Sequence, residues 1–214
     1  MMQWLTPEKA RIFRATHIDN MPWILDHGLY CQSAAVTDPE FRPIGHPDII
    51  LKRTRRIVPI EPRGVLSDYV PFYFTPRSPM LYNILTGFGG LQQIPAEEIV
   101  ILVTSLHAFA QHDVRFVFTD RHAYLQAARF FNALEDLEQL DWRILRASDF
   151  RRDPNDPGKM ERYQAEALVY HHLPVTLLQG IACFDAEGVS MLRAEVDRRG
   201  LSVPVRACPG WYLR

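Results

Sequence analysis

The sequence predicts an α+β fold, on two observations. Strand-like and helix-like segments are interspersed, without the regular alternation that a doubly wound parallel sheet requires. The chain has 214 residues, which is enough for one well-buried core and short for two. We therefore expect a single domain spanning residues 1–214.

The first half contains short elements separated by turns. The predicted elements are a short helix or turn at 6–13, a strand at 14–17, a helix at 21–27, a basic helix or extended piece at 49–57, a strand at 70–75 and a helix at 79–85. Asp19 or Asn20 is a suitable N-cap for the second helix, and Gly28 is placed to end it. Four prolines and glycines at 39–47 indicate a loop.

The second half carries the strongest strand pattern. Residues 98–104 are rich in β-branched residues and leucine, as a buried strand requires. Apolar residues at helical spacing predict an amphipathic helix at 123–138. Further strands are expected at 116–119, 164–171, 179–185 and 203–206, and a helix at 189–199.

Composition and charge exclude several classes of protein. The chain is 47% hydrophobic and 23% charged, with a formal net charge of −1, as in an ordinary soluble globular protein. Its start lacks the apolar core of a secretory signal, and no apolar run approaches membrane-spanning length. Three scattered cysteines, Cys31, Cys183 and Cys208, form no metal-ligand pair. We expect a reduced cytoplasmic protein with no metal.

Residues 68–82 form the most informative stretch. It holds five aromatic residues, three prolines and a single arginine, Arg77. Proline presets φ and removes a backbone donor, so the Thr-Pro-Arg-Ser-Pro turn is rigid and holds one guanidinium on a fixed backbone. That arrangement favours an anionic, flat ligand such as a nucleotide.

Glu166 is a candidate catalytic carboxylate. It stands where a polar segment becomes an apolar strand, and on that strand it would share one face with Gln164. A carboxylate and an amide side by side could bind ribose hydroxyls and stabilise an oxocarbenium-like transition state. The alternative is a solvated glutamate at the start of a strand.

Two basic motifs are candidate phosphate contacts. Residues 52–56 contain Lys52, Arg53, Arg55 and Arg56, which could bind phosphates or form a solvated surface run. Asp120-Arg121-His122 follows a strand and could hold a general base and a phosphate contact, or cap a helix. No glycine-rich phosphate loop of the Rossmann or Walker type is present.

Three segments together resemble the DarT family, the DNA ADP-ribosyltransferase toxins of DarT–DarG toxin–antitoxin systems. They are Arg14–Leu25, Asp68–Tyr82 and Arg162–Val169; Phe116–His122 and the Gly210-Trp-Tyr tail also fit. The similarity covers essentially the whole chain, in order. It implies the ADP-ribosyltransferase fold, a split mixed or antiparallel sheet flanked by helices that binds NAD in its cleft.

The resemblance also implies roles for individual residues. Glu166 matches the catalytic glutamate, and Arg53 the arginine that activates the ring nitrogen of thymine. The residues expected to bind NAD are Arg14, Thr16, Asn20, Tyr73 and Arg77. Many family members carry histidine in place of Arg14, and the arginine here favours direct pairing with the pyrophosphate. Lys52, Arg55, Arg56, Arg121 and His122 are expected to face DNA.

The implied function is transfer of ADP-ribose from NAD to a base in single-stranded DNA, by family branch thymidine, with release of nicotinamide. The implied partner is a DarG-like macrodomain antitoxin, and we expect a monomer. Two alternatives remain: a non-catalytic module that binds NAD or nucleic acid, and an ADP-ribosyltransferase acting on RNA or protein.

Overall fold

The computed structural model describes residues 2–212. Its strands are β1 (Arg11–His17), β2 (Leu29–Tyr30), β3 (Tyr69–Tyr73), β4 (Ile99–Ser105), β5 (Phe116–Thr119), β6 (Phe130–Phe131), β7 (Glu166–Tyr170), β8 (His172–Leu173), β9 (Gly180–Cys183) and β10 (Val205–Ala207). Its α-helices are α1 (Met21–His27), α2 (Pro47–Arg53), α3 (Pro79–Thr86), α4 (Leu106–Gln111), α5 (Trp142–Ala147), α6 (Lys159–Tyr163) and α7 (Ala186–Arg198).

Eight strands form one mixed sheet in the order β10-β9-β4-β1-β3-β7-β5-β6. The pairs are antiparallel except that β10 runs parallel to β9. A separate two-stranded sheet joins β2 to β8. Strands intermingled with helices give the α+β class predicted from the sequence, which is confirmed.

The sheet is well paired on both sides of its centre and weakly paired in the middle. β1 pairs with β4 along its whole length, from Arg11 opposite Ser105 to His17 opposite Ile99. β3 pairs fully with β7, so that Tyr73 lies opposite Glu166. Between β1 and β3, among residues 2–212, the only register pair is Phe13 with Tyr73. The sheet is therefore split between these two strands.

Apolar side chains on both faces of the sheet form the core. Phe72 and Phe74, at alternate positions of the aromatic stretch, are fully buried. The ring of Phe74 makes edge contacts with Phe118 at 6.2 Å and with Trp142 at 5.8 Å between centroids. The aromatic residues of this stretch therefore pack mainly in the core, which keeps β3 rigid.

The predicted helix at 123–138 is wrong. The carboxylate of Asp120 accepts hydrogen bonds from the Arg129 backbone N–H at 3.1 Å and from its Nε at 3.0 Å. The chain thus turns back after residue 120, and Phe131 pairs with Phe118 in β6. A 3₁₀ turn, Leu134–Gln139, follows. The apolar residues of this segment pack in two separate places rather than along one helical face.

Smaller differences lie at element boundaries. β1 begins at Arg11, where the sequence indicated the end of a helix or turn, and β7 begins at Glu166, two residues after the predicted start. Gln164 instead follows α6 as its C-cap. α4, α5, α6 and the β2–β8 pair were not predicted from the sequence. Within residues 2–212, no helix has the length and apolar character needed to cross a membrane.

Candidate active site

A cavity of about 430 Å³ opens at the split between β1 and β3. β1 contributes Arg14 and Thr16 to its wall, β3 contributes Tyr73, α2 contributes Arg53 and β7 contributes Glu166. Arg14 crosses the split, because its Nη1 donates to the Pro71 carbonyl at 2.9 Å. The weak pairing at the centre of the sheet thus creates a site bounded by side chains from distant parts of the sequence.

Glu166 lies at the base of this cavity with only 1% of its surface exposed. Its Oε2 accepts from Arg53 Nη1 at 2.8 Å, and its Oε1 accepts from the backbone N–H of Ala123 at 2.9 Å. His122 Nδ1 lies 3.3 Å from the same Oε1. Burial raises the pKa of this carboxyl, but Arg53, His122 and the Ala123 amide outweigh it, so the pKa lies below its ordinary value. Glu166 is therefore a buried carboxylate, ionised at neutral pH.

Arg53 is the last residue of α2, and the basic cluster of residues 52–56 begins in this helix. The helix lies outside the sheet and carries Arg53 inward onto Glu166, whereas Lys52 and Arg55 on the same segment are exposed. Arg53 is 9% exposed, and its Nη2 is buried without a hydrogen-bond partner in the described part of the chain. One N–H of this guanidinium thus binds the carboxylate and another is free for a ligand.

Arg14 lies close enough to Arg53 for the two charges to repel. Burial, followed by the Arg53 charge, lowers the pKa of Arg14 to about 10, so it remains a cation at neutral pH. Its Nε is buried and unpaired among the residues described. Tyr73 lies on the same wall, and burial and the Glu166 charge raise the pKa of its hydroxyl. The wall therefore presents two guanidiniums beside a neutral phenol.

Asn20 lies behind the cavity rather than in its wall. Its Nδ2 donates to Thr16 Oγ1 at 3.0 Å and to the Arg42 carbonyl at 2.9 Å, and its Oδ1 accepts from the Arg42 N–H at 2.8 Å. These bonds tie β1 to the loop that contributes Phe41, Pro43 and His46 to the cavity. Asn20 therefore positions the loop.

Arg77 lies outside the set of residues that line this cavity. Its Nε donates to the Gly210 carbonyl at 2.9 Å, its Nη2 donates to the same oxygen, and its own carbonyl accepts from the Tyr163 hydroxyl at 2.7 Å. The rigid turn exists as expected, but it holds the C-terminal segment and α6 in place.

The other predicted DNA-facing cations divide into tethered and free side chains. Arg56 donates to the Leu125 carbonyl at 2.9 Å and to Gln126 Oε1 at 3.1 Å, so it holds the segment after His122. Arg121 pairs with Asp120 at 3.3 Å and with Glu161 at 3.6 Å. The Nζ of Lys52 lies 5.9 Å from the centroid of the Tyr124 ring. Lys52 and Arg55 remain available to an external anion.

A second, open groove of about 680 Å³ adjoins the cavity. His122, Met160 and Gln164 line both spaces. The groove continues past Tyr124 to Arg152, an exposed arginine for which the described residues provide no ion pair or hydrogen bond. A ligand in the groove would therefore meet a ligand in the cavity beside Glu166.

Several contributors to the site were missed by the sequence analysis. The Ala123 amide binds Glu166 only because Asp120 turns the chain at residues 120–129, and a backbone donor has no sequence pattern of its own. Asn83, Met80 and Leu91 line the cavity from α3 and the loop after it. Asp120 was predicted to cap a helix, but it binds Arg129 and Arg121 instead. The Arg129 backbone N–H and the Arg129 and Arg121 side chains outweigh the effect of burial and lower the pKa of Asp120.

Comparison with known proteins identifies the family. A family model described as "ssDNA thymidine ADP-ribosyltransferase, DarT" matches residues 13–213. The chain belongs to the DarT family. Among its relatives, a DNA ADP-ribosyl transferase of Escherichia coli O127:H6 (strain E2348/69 / EPEC) is 51% identical over 209 residues, which cover 98% of this chain and 96% of the relative.

Solved DarT structures share the fold. DarT of Thermus sp. 2.9 in complex with ADP-ribosylated ssDNA superposes with a TM-score of 0.89 at 39% identity, covering 97% of this chain and 98% of that one. The same DarT in complex with NAD+ gives a TM-score of 0.86 at 38% identity, with 97% and 99% coverage. The predicted family and fold are confirmed, and so is NAD-dependent ADP-ribosylation of single-stranded DNA.

A more distant DarT relative is a fusion protein. The DNA ADP-ribosyl transferase-DNA ADP-ribosyl glycohydrolase fusion protein of Thermosipho africanus (strain H17ap60334) is 23% identical over 208 residues, which cover 97% of this chain and 50% of the fusion. The DarT family activity sets aside the alternatives of a non-catalytic module and of an RNA or protein acceptor.

Among residues 2–212, no group of three or more histidine, cysteine, aspartate or glutamate side chains could hold a metal ion.

Proposed function

We propose that this chain is a single-domain toxin that transfers ADP-ribose from NAD to a thymidine base in single-stranded DNA, with dependence on the surrounding sequence, and so blocks DNA replication. The observation that carries the proposal is the pairing of Glu166 with Arg53 in one cavity that opens into a groove. The two side chains are 113 positions apart in the sequence and 2.8 Å apart in the fold.

NAD would occupy the cavity between β1 and β3. Arg14 Nε, Arg53 Nη2 and His46 Nδ1 are buried polar atoms without partners in the described chain, and all three residues line this cavity. Buried donors left unpaired cost free energy, so they indicate a place where a polar ligand completes the structure. The Arg14 guanidinium suits the pyrophosphate, with Thr16 beside it. Tyr73 offers its ring to the nicotinamide.

Glu166 would stabilise the reaction electrostatically. When the bond between the ribose C1 and the nicotinamide nitrogen breaks, its electron pair leaves with nicotinamide and positive charge develops on the sugar. A buried carboxylate held in place by Arg53 and the Ala123 amide needs no reorganisation to meet that charge. Glu166 thus acts on the transition state without forming a bond itself.

Arg53 would act on the acceptor base by polarisation. The only ring N–H of thymine in DNA is N3, and a new bond from N3 to the ribose C1 releases that proton. A guanidinium is too basic to accept a proton at neutral pH. The proton passes to water in the open groove, and Arg53 stabilises the negative charge that develops on the base as it leaves.

Single-stranded DNA would enter through the groove that adjoins the cavity. The thymine nitrogen that forms the new bond takes part in base pairing, so duplex DNA hides it. Lys52 and Arg152 border this path as free cations, and Tyr124 offers a ring between them. These two cations supply phosphate contacts to a groove that Asp153 and Glu161 also line, on a chain whose net charge is −1.

The test compares Glu166→Gln with the parent on thymidine-containing oligonucleotides and NAD, measuring the mass gain of one ADP-ribose. We expect a loss of roughly 10²–10³-fold in rate, since one preorganised electrostatic group is removed. Glu187→Gln, an exposed glutamate in the first turn of α7, is the matched control and should match the parent. Transfer by Glu166→Gln at the parent rate, or none by the folded parent on any strand, would refute the proposal.

We further propose a DarG-like macrodomain antitoxin as the partner, which the fusion of the two activities in the Thermosipho africanus relative supports. The chain itself is proposed to be a cytoplasmic monomer. Co-expression with a macrodomain glycohydrolase should restore growth and remove the DNA mark. Persistent toxicity with the mark removed would contradict this pairing.

A further inference from the structure

Two exposed aromatic rings and one half-buried ring form a row beside the active site. The aromatic row consists of Tyr82, Phe88 and Phe150. The Tyr82 ring centroid lies 6.3 Å from that of Phe88 and 5.9 Å from that of Phe150. Phe88 is 64% exposed and Tyr82 is 38% exposed. Exposed aromatic surface of this kind marks a binding surface more often than scattered apolar residues do.

The row is rigid at one end and adaptable at the other. Phe150 packs on Tyr163, which is fully buried, at 5.5 Å between centroids. Phe88 lies on a segment in which Gly89 and Gly90 have φ of 75° and 81°, and apart from the adjacent residues no atom of the described chain lies within 4 Å of the Cβ position at either glycine. The Phe88 ring can therefore adjust to a ligand while Phe150 stays fixed.

Two elements connect the row to the catalytic site. α3 contributes Met80 and Asn83 to the cavity that holds Glu166, and it carries Tyr82 in the row. The segment after α5 carries Phe150 in the row and, two residues later, the unpaired Arg152 in the groove that adjoins the cavity. Phe150 and Arg152 are two positions apart on this segment, so the row and the groove share it.

We propose that the aromatic row stacks unpaired bases of the DNA strand that flank the modified thymidine. This inference rests on the proposed function. The substrate extends beyond its target nucleotide, and its bases have exposed π faces because no second strand covers them. Aromatic side chains bind such bases irrespective of sequence, and cations between them bind the phosphates. Arg152 supplies that cation between the groove and the row.

The experiment measures KM and kcat for transfer to oligonucleotides that contain one thymidine and increasing numbers of flanking nucleotides. Phe88→Ala should raise KM for the longer strands about 5- to 50-fold, as expected for one lost base–aromatic contact. It should leave kcat, the KM of the shortest strand and hydrolysis of NAD without DNA unchanged. Phe88→Trp keeps a ring and should behave as the parent, and so should Met191→Ala, a control at an exposed apolar residue of α7.

A second arm locates the stacked base. An abasic site placed at each flanking position in turn should raise the parent KM at one or two positions. At those positions Phe88→Ala and the abasic site together should cost no more than either alone, because both remove the same contact. Additive losses at every position, or an equal KM rise for short and long strands, would overturn the proposal.

Three outcomes separate the role of the row from the proposed function and from binding of a protein partner. A parent that modifies no strand overturns the transfer reaction itself, whereas an active parent with unaltered Phe88→Ala kinetics overturns only the row. Loss of macrodomain binding in Phe88→Ala with unchanged KM for DNA would assign the surface to that partner and contradict DNA stacking.

Discussion

Arg53 and Arg77 are the two arginines that the sequence singled out most clearly, and the fold uses them in opposite ways. Arg53 reaches into the cavity and donates to the Glu166 carboxylate at 2.8 Å. Arg77 points away and donates to the Gly210 carbonyl at 2.9 Å. The motif around Arg77 is the more distinctive of the two, yet Arg53 lies beside the catalytic carboxylate.

The difference follows from what holds each backbone. The prolines around Arg77 make its turn rigid, but rigidity does not specify the direction of a side chain. Arg53 is the last residue of α2 and lies beside the split in the sheet, where the Glu166 carboxylate is buried. A buried carboxylate attracts the cation that can reach it, since an unpaired buried charge is costly. A partner inside the fold therefore decides the role of an arginine more than its local motif does.

The largest expected effect contrasts these two arginines in the reaction. Arg53→Met should lower the rate of ADP-ribose transfer roughly 10²–10³-fold, as for removal of one preorganised electrostatic group. Arg77→Met should change the rate by less than about threefold, because it removes only contacts to a backbone carbonyl away from the cavity. Single-turnover transfer to a thymidine oligonucleotide measures both. Equal losses would show that Arg77 reaches the NAD site after all.

Substitutions of the same two arginines should differ in their effect on the free energy of unfolding and in how that effect depends on pH. The pKa of Glu166 in the folded chain lies below its ordinary value of 4.5, so its ionised form contributes fully above about that pH and the contribution is lost as the pH falls through the folded pKa. Arg53→Met leaves a buried, poorly paired carboxylate and should cost about 3 kcal/mol of unfolding free energy at pH 7.

That cost should shrink as the pH approaches 4. Without Arg53, burial raises the pKa of Glu166, so the variant protonates its carboxylate at a higher pH than the parent does and escapes the unpaired charge. Arg77→Met should cost about 1 kcal/mol equally at both pH values. Denaturant unfolding between pH 7 and 4 checks this, and a pH-independent gap for Arg53→Met would mean that Glu166 is not buried as a carboxylate.

What the sequence could predict was local. The strand at 116–119 and the helix at 21–27 depend on short runs of β-branched, aromatic and capping residues, and both lie where they were expected. The helix at 123–138 failed because Asp120 binds Arg129 and turns the chain, which outweighs the helical spacing of its apolar residues. Long-range hydrogen bonds of this kind leave no periodic pattern.

The candidate site follows the same division. Five of the residues named from the sequence meet in one cavity: Glu166, Arg53, Arg14, Thr16 and Tyr73. Glu166 and Gln164 also both line it, although Gln164 ends a helix instead of sharing the strand face. The groove and the Ala123 donor depend on how loops 120–129 and 148–158 fold over the sheet. The aromatic row depends also on α3 and the segment after it, and no motif encodes these arrangements.

The smallest expected effect tests whether tethered and free cations differ in DNA binding. Lys52 is exposed and lies over the Tyr124 ring, with no ion pair or side-chain hydrogen bond within residues 2–212, whereas Arg56 binds the backbone carbonyl of Leu125. Lys52→Ala should lower the slope of log affinity for single-stranded DNA against log salt by about 0.7, the value for one phosphate contact on a single strand. Arg56→Ala should leave that slope unchanged and slow transfer, because the segment after His122 loosens. The reverse pattern would place Arg56 on the phosphates and make its contacts to residues 125 and 126 exchangeable for DNA.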